Sequence, residues 1–378
     1  MSMLPLIDIR VVEFCNVAAG PFCGMLLADM GADVIKVEKP GGDDLRHWPP
    51  LSEGFSENFA SVNRNKRSIV LDLKSNSDVL IAQRLCAKAD VIIENNRPGA
   101  MQRLGLGYDR LKDVNPKLIY CSISAFGQSG PGADSGGFDL TIQAISGIMS
   151  VTGDETGVPI KCGVPVSDFA AGLYGAYAVA AALLKRNVTE KGEYIDVSML
   201  GASLGISALQ TSEFFGTGKN APPMGSRHPR NAPYQAFKAK DRYFVMAAGN
   251  DKLWASVCLV VGRMDLMNMH DYATPAARAQ NQKSLAILLE ECFATELAET
   301  WIHRFTKAGV PCAPINTFGD ALSHPQVEHS GWIQPMTLPN GVETQTFGSP
   351  VKFDGDESCL RRMPPALNQH YDEIIDEL

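Results

Sequence analysis

The chain has 378 residues, too many for one ordinary domain and enough for two with sizeable cores. Apolar residues make up 45% and charged residues 20%, as in water-soluble globular proteins, and a formal charge of −8 makes nucleic acid a poor partner. The cysteines, at positions 15, 23, 86, 121, 162, 258, 292, 312 and 359, form no C-x-x-C pair. Such an odd, unpatterned set argues against a disulfide framework and against a metal site, and for a reducing compartment such as the cytoplasm. The opening "MSMLPLIDIR" has no basic segment followed by an apolar run, so no secretory leader is expected. The longest apolar helix, Phe169 to Leu184, is expected to be too short to span a bilayer and to serve as a core helix, with no membrane partner.

In chain order, "IRVVEF" (9–14) reads as a buried strand, "PFCGMLLADMG" (21–31) as a helix and "DVIKVEK" (33–39) as a second strand. "RSIVLDL" (67–73), a helix over 77–89, "DVIIEN" (90–95) and "LIYCSISAF" (118–126) continue the alternation. This rhythm predicts a parallel sheet covered by helices. After the loop "GQSGPGADSGG" (127–137) come "FDLTIQAISGIMSVTG" (138–153), the apolar helix, the strand "EYIDVSML" (193–200) and a helix to about Phe215. The stretch 216–233 changes character and reads as a linker. Beyond it lie a hairpin over 234–249, turning near Lys240 and Asp241, and helical patterns over 251–262, 274–296 and 297–308.

The first strand and turn imitate a dinucleotide-binding unit, but G-x-G-x-x-G is missing. Gly20 and Pro21 read instead as a helix-opening turn, with Pro where its missing N–H is tolerated. His228 lies between Arg227 and Arg230, which read as solvated linker charges, and His324 reads as a turn residue. No H-E-x-x-H spacing and no G-x-S-x-G elbow occur, so neither a metalloprotease nor a hydrolase triad is supported.

Asp168, in "GVPVSDFAAGLYGAYAVAAALLKR" (163–186), has two readings. Ser-Asp before an apolar run is a helix start, and Asp is a good N-cap. Ser167, however, is able to cap alone, which leaves Asp168 in the first turn of a nearly uncharged helix. There a carboxylate is partly desolvated and hence a stronger nucleophile, and the positive helix end is expected to keep it ionised.

Several stretches together resemble one family, the class III CoA-transferases, which also include α-methylacyl-CoA racemases. They are "GPFCGMLLADMGADVIKVEKPGGDDLR", "NRNKRSIVLDLK", "ENNRPGAMQRLGLGYDRL", "LIYCSISAFGQSGPGADSGGFDLTIQAISGIMSVTG", "GVPVSDFAAGLYGA" and "GVPCAPINT…HPQV". The resemblance implies that Asp168 is a nucleophile that forms an aspartyl anhydride and then an aspartyl-CoA thioester. It implies contacts to CoA from Lys39, Leu71, Lys74, Asn95, Asn96, Arg103 and Leu104, with Met199 along the pantetheine arm. The racemases use a His directly before the Asp that corresponds to Asp139. Phe138 stands there, which favours a transferase over the alternative, a 2-methylacyl-CoA racemase.

Ala18 and Phe138 replace a Gln and a Tyr of formyl- and oxalate-handling relatives, which points to a less polar acyl pocket. Gly249, in "AAGNDK", matches a glycine loop that shields the intermediate. The hairpin over 234–249 leans towards members acting on small dicarboxylic acids. The fold implied is α/β: a large Rossmann-like domain from 1–215 with 325–378, and a smaller α+β domain over 225–322, with linkers at 216–224 and 323–324. The implied assembly is an interlocked homodimer with the active site between large and small domains at its interface. Acyl-CoA and a free carboxylic acid are the implied substrates.

Overall fold

A computed structural model of the chain describes residues 4–353 and 360–378. The start of "MSMLPLIDIR" and Cys359 lie outside the described residues; the other eight cysteines are free thiols. The chain divides into two compact units, Met1–Met149 with Lys161–Lys219 and Pro325–Leu378, and Ser150–Ile160 with Asn220–His324.

The first unit is built on a six-stranded sheet. Its strands are β1 (Arg10–Phe14), β2 (Asp33–Glu38), β3 (Lys66–Val70), β4 (Val91–Glu94), β5 (Ile119–Ser124) and β6 (Glu193–Ser198). They lie in the order β3-β2-β1-β4-β5-β6 and every pairing is parallel, with Val11 opposite both Val34 and Val91. This is the doubly wound order, and buried parallel strands account for the Val- and Ile-rich runs in the sequence. Alternate residues serve opposite faces, as the two-residue period of a strand requires. Val11, Val34, Ile93 and Ile123 belong to one core, while Val12, Ile35, Ile69 and Ile92 belong to another.

The helices of the first core are α1 (Ala19–Asp29) and α4 (Val166–Thr189), introduced with α2 (Asn76–Ala87), α3 (Asp139–Ile145) and α5 (Met199–Ile206). A Cβ at Gly172 of α4 would sit 2.7 Å from the Ala19 carbonyl oxygen, so the two backbones meet where only glycine fits. The apolar helix is longer than expected: its 24 residues are enough to cross a membrane by length and composition. Half of its most apolar window is buried, with Ala170, Ala171, Val179 and Leu183 in the core. Leu173, Tyr177, Leu184 and Val188, on its other face, are exposed. The helix expected to run on to Phe215 is two helices, Met199–Ile206 and Ala208–Thr217, separated at Ser207.

The second core takes α2 and the C-terminal helix Tyr371–Asp376, which supplies the fully buried Ile374. Arg67 holds this end of the chain through Glu373 (3.0 Å) and Glu377 (2.7 Å) while also pairing with Asp33. Arg10 adds a bond to Glu377 at 2.8 Å, and Lys88 Nζ donates to the Glu377 carbonyl at 2.6 Å. A two-stranded hairpin, Ile333–Thr337 with Glu343–Phe347, precedes this helix.

The second unit has the expected hairpin, Tyr234–Lys238 with Tyr243–Ala247, and a third antiparallel strand, Cys312–Pro314, beside the latter. The helical pattern over 274–296 is broken at Asn281 into Pro275–Gln280 and Gln282–Phe293. Phe237, Phe244, Phe293, Trp301 and Phe305 form its aromatic core. Residues 150–160 fall with this unit rather than with the large domain assigned from sequence. Gly225 N donates to Gly153 O at 2.7 Å, and Arg227 and Lys283 both pair with Glu155, so Arg227 is not a solvated linker charge.

Candidate active site

In an open parallel sheet, ligands bind beyond the C-terminal strand ends where the strand order reverses. Here that point lies between β1 and β4. The loops leaving these strands are clasped together: Asn16 N donates to Asn95 Oδ1 at 2.9 Å, and Asn95 Nδ2 donates to Asn16 O at 2.8 Å.

Val17, in the first loop, has φ of 65°. A β-branched residue in the left-handed region is strained by about 1–3 kcal/mol and needs surroundings that enforce it. Asp43 Oδ1 accepts from Val17 N at 3.0 Å, and Asp43 Oδ2 lies 2.8 Å from Lys36 Nζ. Lys36 also meets Glu13 at 3.0 Å and donates to Cys15 O at 2.9 Å. Lys66 meets Glu13 at 2.8 Å and donates to Pro21 O and Asn63 Oδ1.

Glu13, Lys36 and Lys66 are fully buried. Burial pulls the Lys36 ammonium down, but Glu13, Asp43 and Glu38 more than offset this and hold it above its ordinary value. Burial, aided by Lys36, leaves Lys66 below the ordinary lysine value despite Glu13. The backbone at the head of α1 is thus fastened from beneath by a closed network of charges. Two cavities open beside it.

The larger cavity, about 370 Å³, is lined by Lys39, Leu71, Lys74, Asn96 and Leu104, which the sequence assigned to CoA. Lys39 Nζ is paired with Asp44 at 2.6 Å, and Lys74 is exposed. The smaller, about 240 Å³, is lined by Ala18, Asn95, Phe138, Asp168 and Met199. Asn16 and Asn96 line both.

Two other assigned residues line neither cavity. Arg103 is exposed on the short helix Ala100–Arg103 and lines neither cavity; its guanidinium folds back over Gly99. Gly249 belongs to the second unit, where a Cβ would sit 2.7 Å from Asn231 Cβ.

Asp168 is the third residue of α4, and Pro165 at the cap position provides no side-chain hydrogen bond. Neither reading of the cap from sequence holds. Ser167 Oγ is fully buried and accepts from Ser203 Oγ at 2.9 Å. The helix start is secured by Asp139 instead: its Oδ1 accepts from Ser167 N at 2.9 Å and its Oδ2 from Gln143 Nε2 at 2.7 Å. Gln143 Oε1 in turn accepts from Cys162 N at 2.8 Å.

Asp168 is thereby left without a hydrogen-bond partner among the described residues. Burial, and then the Asp139 carboxylate, push its pKa up to about 7. The positive helix end therefore does not keep it fully ionised, as expected from sequence, because desolvation and a like charge outweigh it. Phe138 is 78% exposed, and its N–H donates to Thr141 Oγ1 at 3.0 Å; the phenyl ring has no proton to relay.

A half-buried carboxylate with a raised pKa at such a crevice is the kind of group that active sites hold. The profile of CoA-transferase family III matches residues 6–371. The chain belongs to that family. Among the family III transferases, human succinyl-CoA:glutarate CoA-transferase is 38% identical across all of this chain and 86% of its own length. Acetyl-CoA:oxalate CoA-transferase of Acetobacter aceti is also 38% identical, over 97% of this chain and 93% of the relative. A crystal structure of a CAIB/BAIF family protein from Brucella suis superposes with a TM-score of 0.88 at 39% identity, covering 99% of both chains.

Sequence reasoning passed over Val17, Asp43 and Arg97, the last of which also lines the smaller cavity. Charged residues inside otherwise apolar strands, as in "VVEF" and "VIKVE", were the available signal for the buried network. Arg97 carried no local signal.

Proposed function

We propose that this family III transferase moves CoA from an acyl-CoA to a free dicarboxylic acid through covalent intermediates on Asp168. The observation that carries this reading is the Asp168 carboxylate itself, half-buried, without a hydrogen-bond partner, and facing a cavity that shares Asn16 and Asn96 with a larger one. The names of the relatives, which specify glutarate and oxalate, support the acceptor class.

In the proposed sequence an Asp168 oxygen attacks the thioester carbonyl carbon, the C–S bond breaks and CoA thiolate leaves an aspartyl anhydride. The thiolate then attacks the Asp168 acyl carbon, releasing the first acid as a carboxylate and forming an aspartyl-CoA thioester. The acceptor carboxylate attacks the carbonyl carbon of that thioester, its C–S bond breaks, and CoA thiolate departs to leave a second anhydride. Thiolate attack on the acceptor's acyl carbon frees Asp168. One thioester is exchanged for another, so no ATP is needed. The oxyanions of the tetrahedral intermediates would be met by backbone N–H groups at the head of α1, where Ala18 and Ala19 line the same cavity; such donors are strongest where water is excluded. Lys39 and Lys74 would hold phosphates in the larger cavity.

A homodimer is part of this reading. It is supported by the exposed Leu173, Tyr177, Leu184 and Val188 on one face of α4, an apolar stripe of the kind that marks an interface. The eight free thiols support a reducing compartment, the cytoplasm.

The test is to trap the intermediate. With acyl-CoA and no acceptor, hydroxylamine should convert Asp168 to a hydroxamate and borohydride should reduce it, each seen as a mass change on the peptide holding residues 163–185. Efficient transfer with an unmodified peptide at every time point would mean that one substrate attacks the other directly.

A further inference from the structure

We infer that Arg97 is the residue that selects a dicarboxylic acid, by binding the carboxylate of the substrate that does not react. This rests on the transferase reading of Asp168 and adds the group that recognises the far end of the acid.

Arg97 lies just beyond the C-terminal end of β4, beside the strand-order reversal. Its position is rigid. Ala100 N donates to Arg97 O at 3.0 Å, Pro98 follows, and Gly99 has φ of 80° and ψ of −10°. That is a type II turn with Pro and Gly at the two central places that favour them. The proline also restricts the backbone of Arg97 itself.

The guanidinium lies over Gly136 in the loop 127–137, with Nη2 3.3 Å from where a Cβ would stand. A side chain at Gly136 would displace it. Arg97 is the sole cation among the residues lining the smaller cavity, and no hydrogen bond or ion pair engages its guanidinium among the described residues. Most other arginines are committed: Arg46 to Glu38, Arg64 to Asp29, Arg67 to Asp33 and Glu377, Arg278 to Asp251. A guanidinium left open presents a planar fork suited to a carboxylate.

Nor is this cation there to charge the nucleophile. Arg97 makes no ion pair with Asp168 and does not figure among the groups that set its protonation. The cavity therefore has two separate poles, a carboxylate that reacts and a cation that does not. A short acid with a carboxylate at each end satisfies both, and at about 240 Å³ the space is below the roughly 300 Å³ of typical drug-sized pockets, which favours a small molecule. The relatives' acceptors, glutarate and oxalate, share that second carboxylate.

The test uses the full-length enzyme with saturating acyl-CoA and acceptors paired by chain length, glutarate against pentanoate and succinate against butanoate. Arg97→Met should raise KM for the diacids roughly ten- to hundredfold, the worth of a charged hydrogen bond, with kcat and the monoacid kinetics little changed. Arg97→Lys should recover part of the loss. Arg97→Glu should abolish the diacid preference and improve 5-aminopentanoate, whose ammonium occupies the same pole. Equal loss for diacids and monoacids, or a rise in KM for acyl-CoA whatever its acyl group, would overturn the inference and make Arg97 a contact to CoA. An unmodified enzyme that transfers CoA to none of these acids would instead overturn the transferase reading.

Discussion

The two cavities differ in how their charges are kept. Around the larger one the charges are mostly matched, Lys39 with Asp44 and Lys36 with Asp43 and Glu13, with the exposed Lys74 as the exception. In the smaller one Asp168 and Arg97 stand unmatched a cavity's width or less from backbone that is strained at Val17. A surface that recognises a large, constant ligand gains from being satisfied and rigid before the ligand comes. A surface that reacts has to keep groups short of partners, because their satisfaction is reserved for the substrate. The buried network is what allows both states to coexist within one crevice.

The sharpest way to break this contrast is to remove the unmatched acid. Asp168→Asn should lower the transfer rate by about 10⁴-fold or more while acyl-CoA still binds, measured by mass spectrometry of the CoA esters and by calorimetry. The same variant should be more stable than the parent at pH 8 and equal to it at pH 3. A carboxyl whose pKa is raised on folding costs stability that accumulates as pH climbs from the ordinary carboxylate value to about 7 and persists above it. Thermal melts at the two pH values check the sign.

Next in size is damage to the matched side. Lys36→Met leaves Glu13 and Asp43 buried beside one cation too few, at a cost of about 3–5 kcal/mol. The denaturant midpoint should fall accordingly, and the Val17 turn should relax with it.

A milder change sharpens the contrast within the reacting cavity. The rate at limiting substrate should rise with pH and reach half its maximum near pH 7, as Asp168 loses its proton. Asp139→Asn keeps an oxygen for Ser167 N but removes the like charge, so the midpoint should move to lower pH. An unmoved midpoint would leave burial as the whole cause. Smallest of all, Lys39→Ala breaks an exposed pair and should raise KM for acyl-CoA only a few-fold, an effect that fades in salt.

Much of the first unit was legible because its strands are buried on both faces and short connections punctuate them. All six strands of the sheet were anticipated to within a few residues, and the order of the motifs led to the family. Asp168 stood out as an acid at the mouth of an apolar helix. Its cap did not, because the capping group, Asp139, comes from a helix whose distance along the chain hides the contact. The Lys66, Glu13, Lys36 and Asp43 chain is only hinted at by charges inside apolar strands, because its members become adjacent only once three strands have paired. The three-residue strand Cys312–Pro314 escaped because it is short and ends in proline, and the C-terminal hairpin was passed over. The direction of Arg103 was not legible, since a basic residue on a four-residue helix gives no sign of which way it turns.

The salt bridges that join Arg67 and Arg10 to Glu373 and Glu377 have a consequence for the order in which a ribosome delivers this protein. Strands β1 and β3 acquire these partners only when residues 373–377 emerge. Residues 220–324 are complete well before then and can gather their aromatic core on their own account. The first unit must wait with Arg67 and Arg10 sharing Asp33 alone and one face of its sheet lacking Ile374. Nascent chains stopped short of residue 371 should therefore display a protease-resistant second unit beside a first unit that is still open to cleavage.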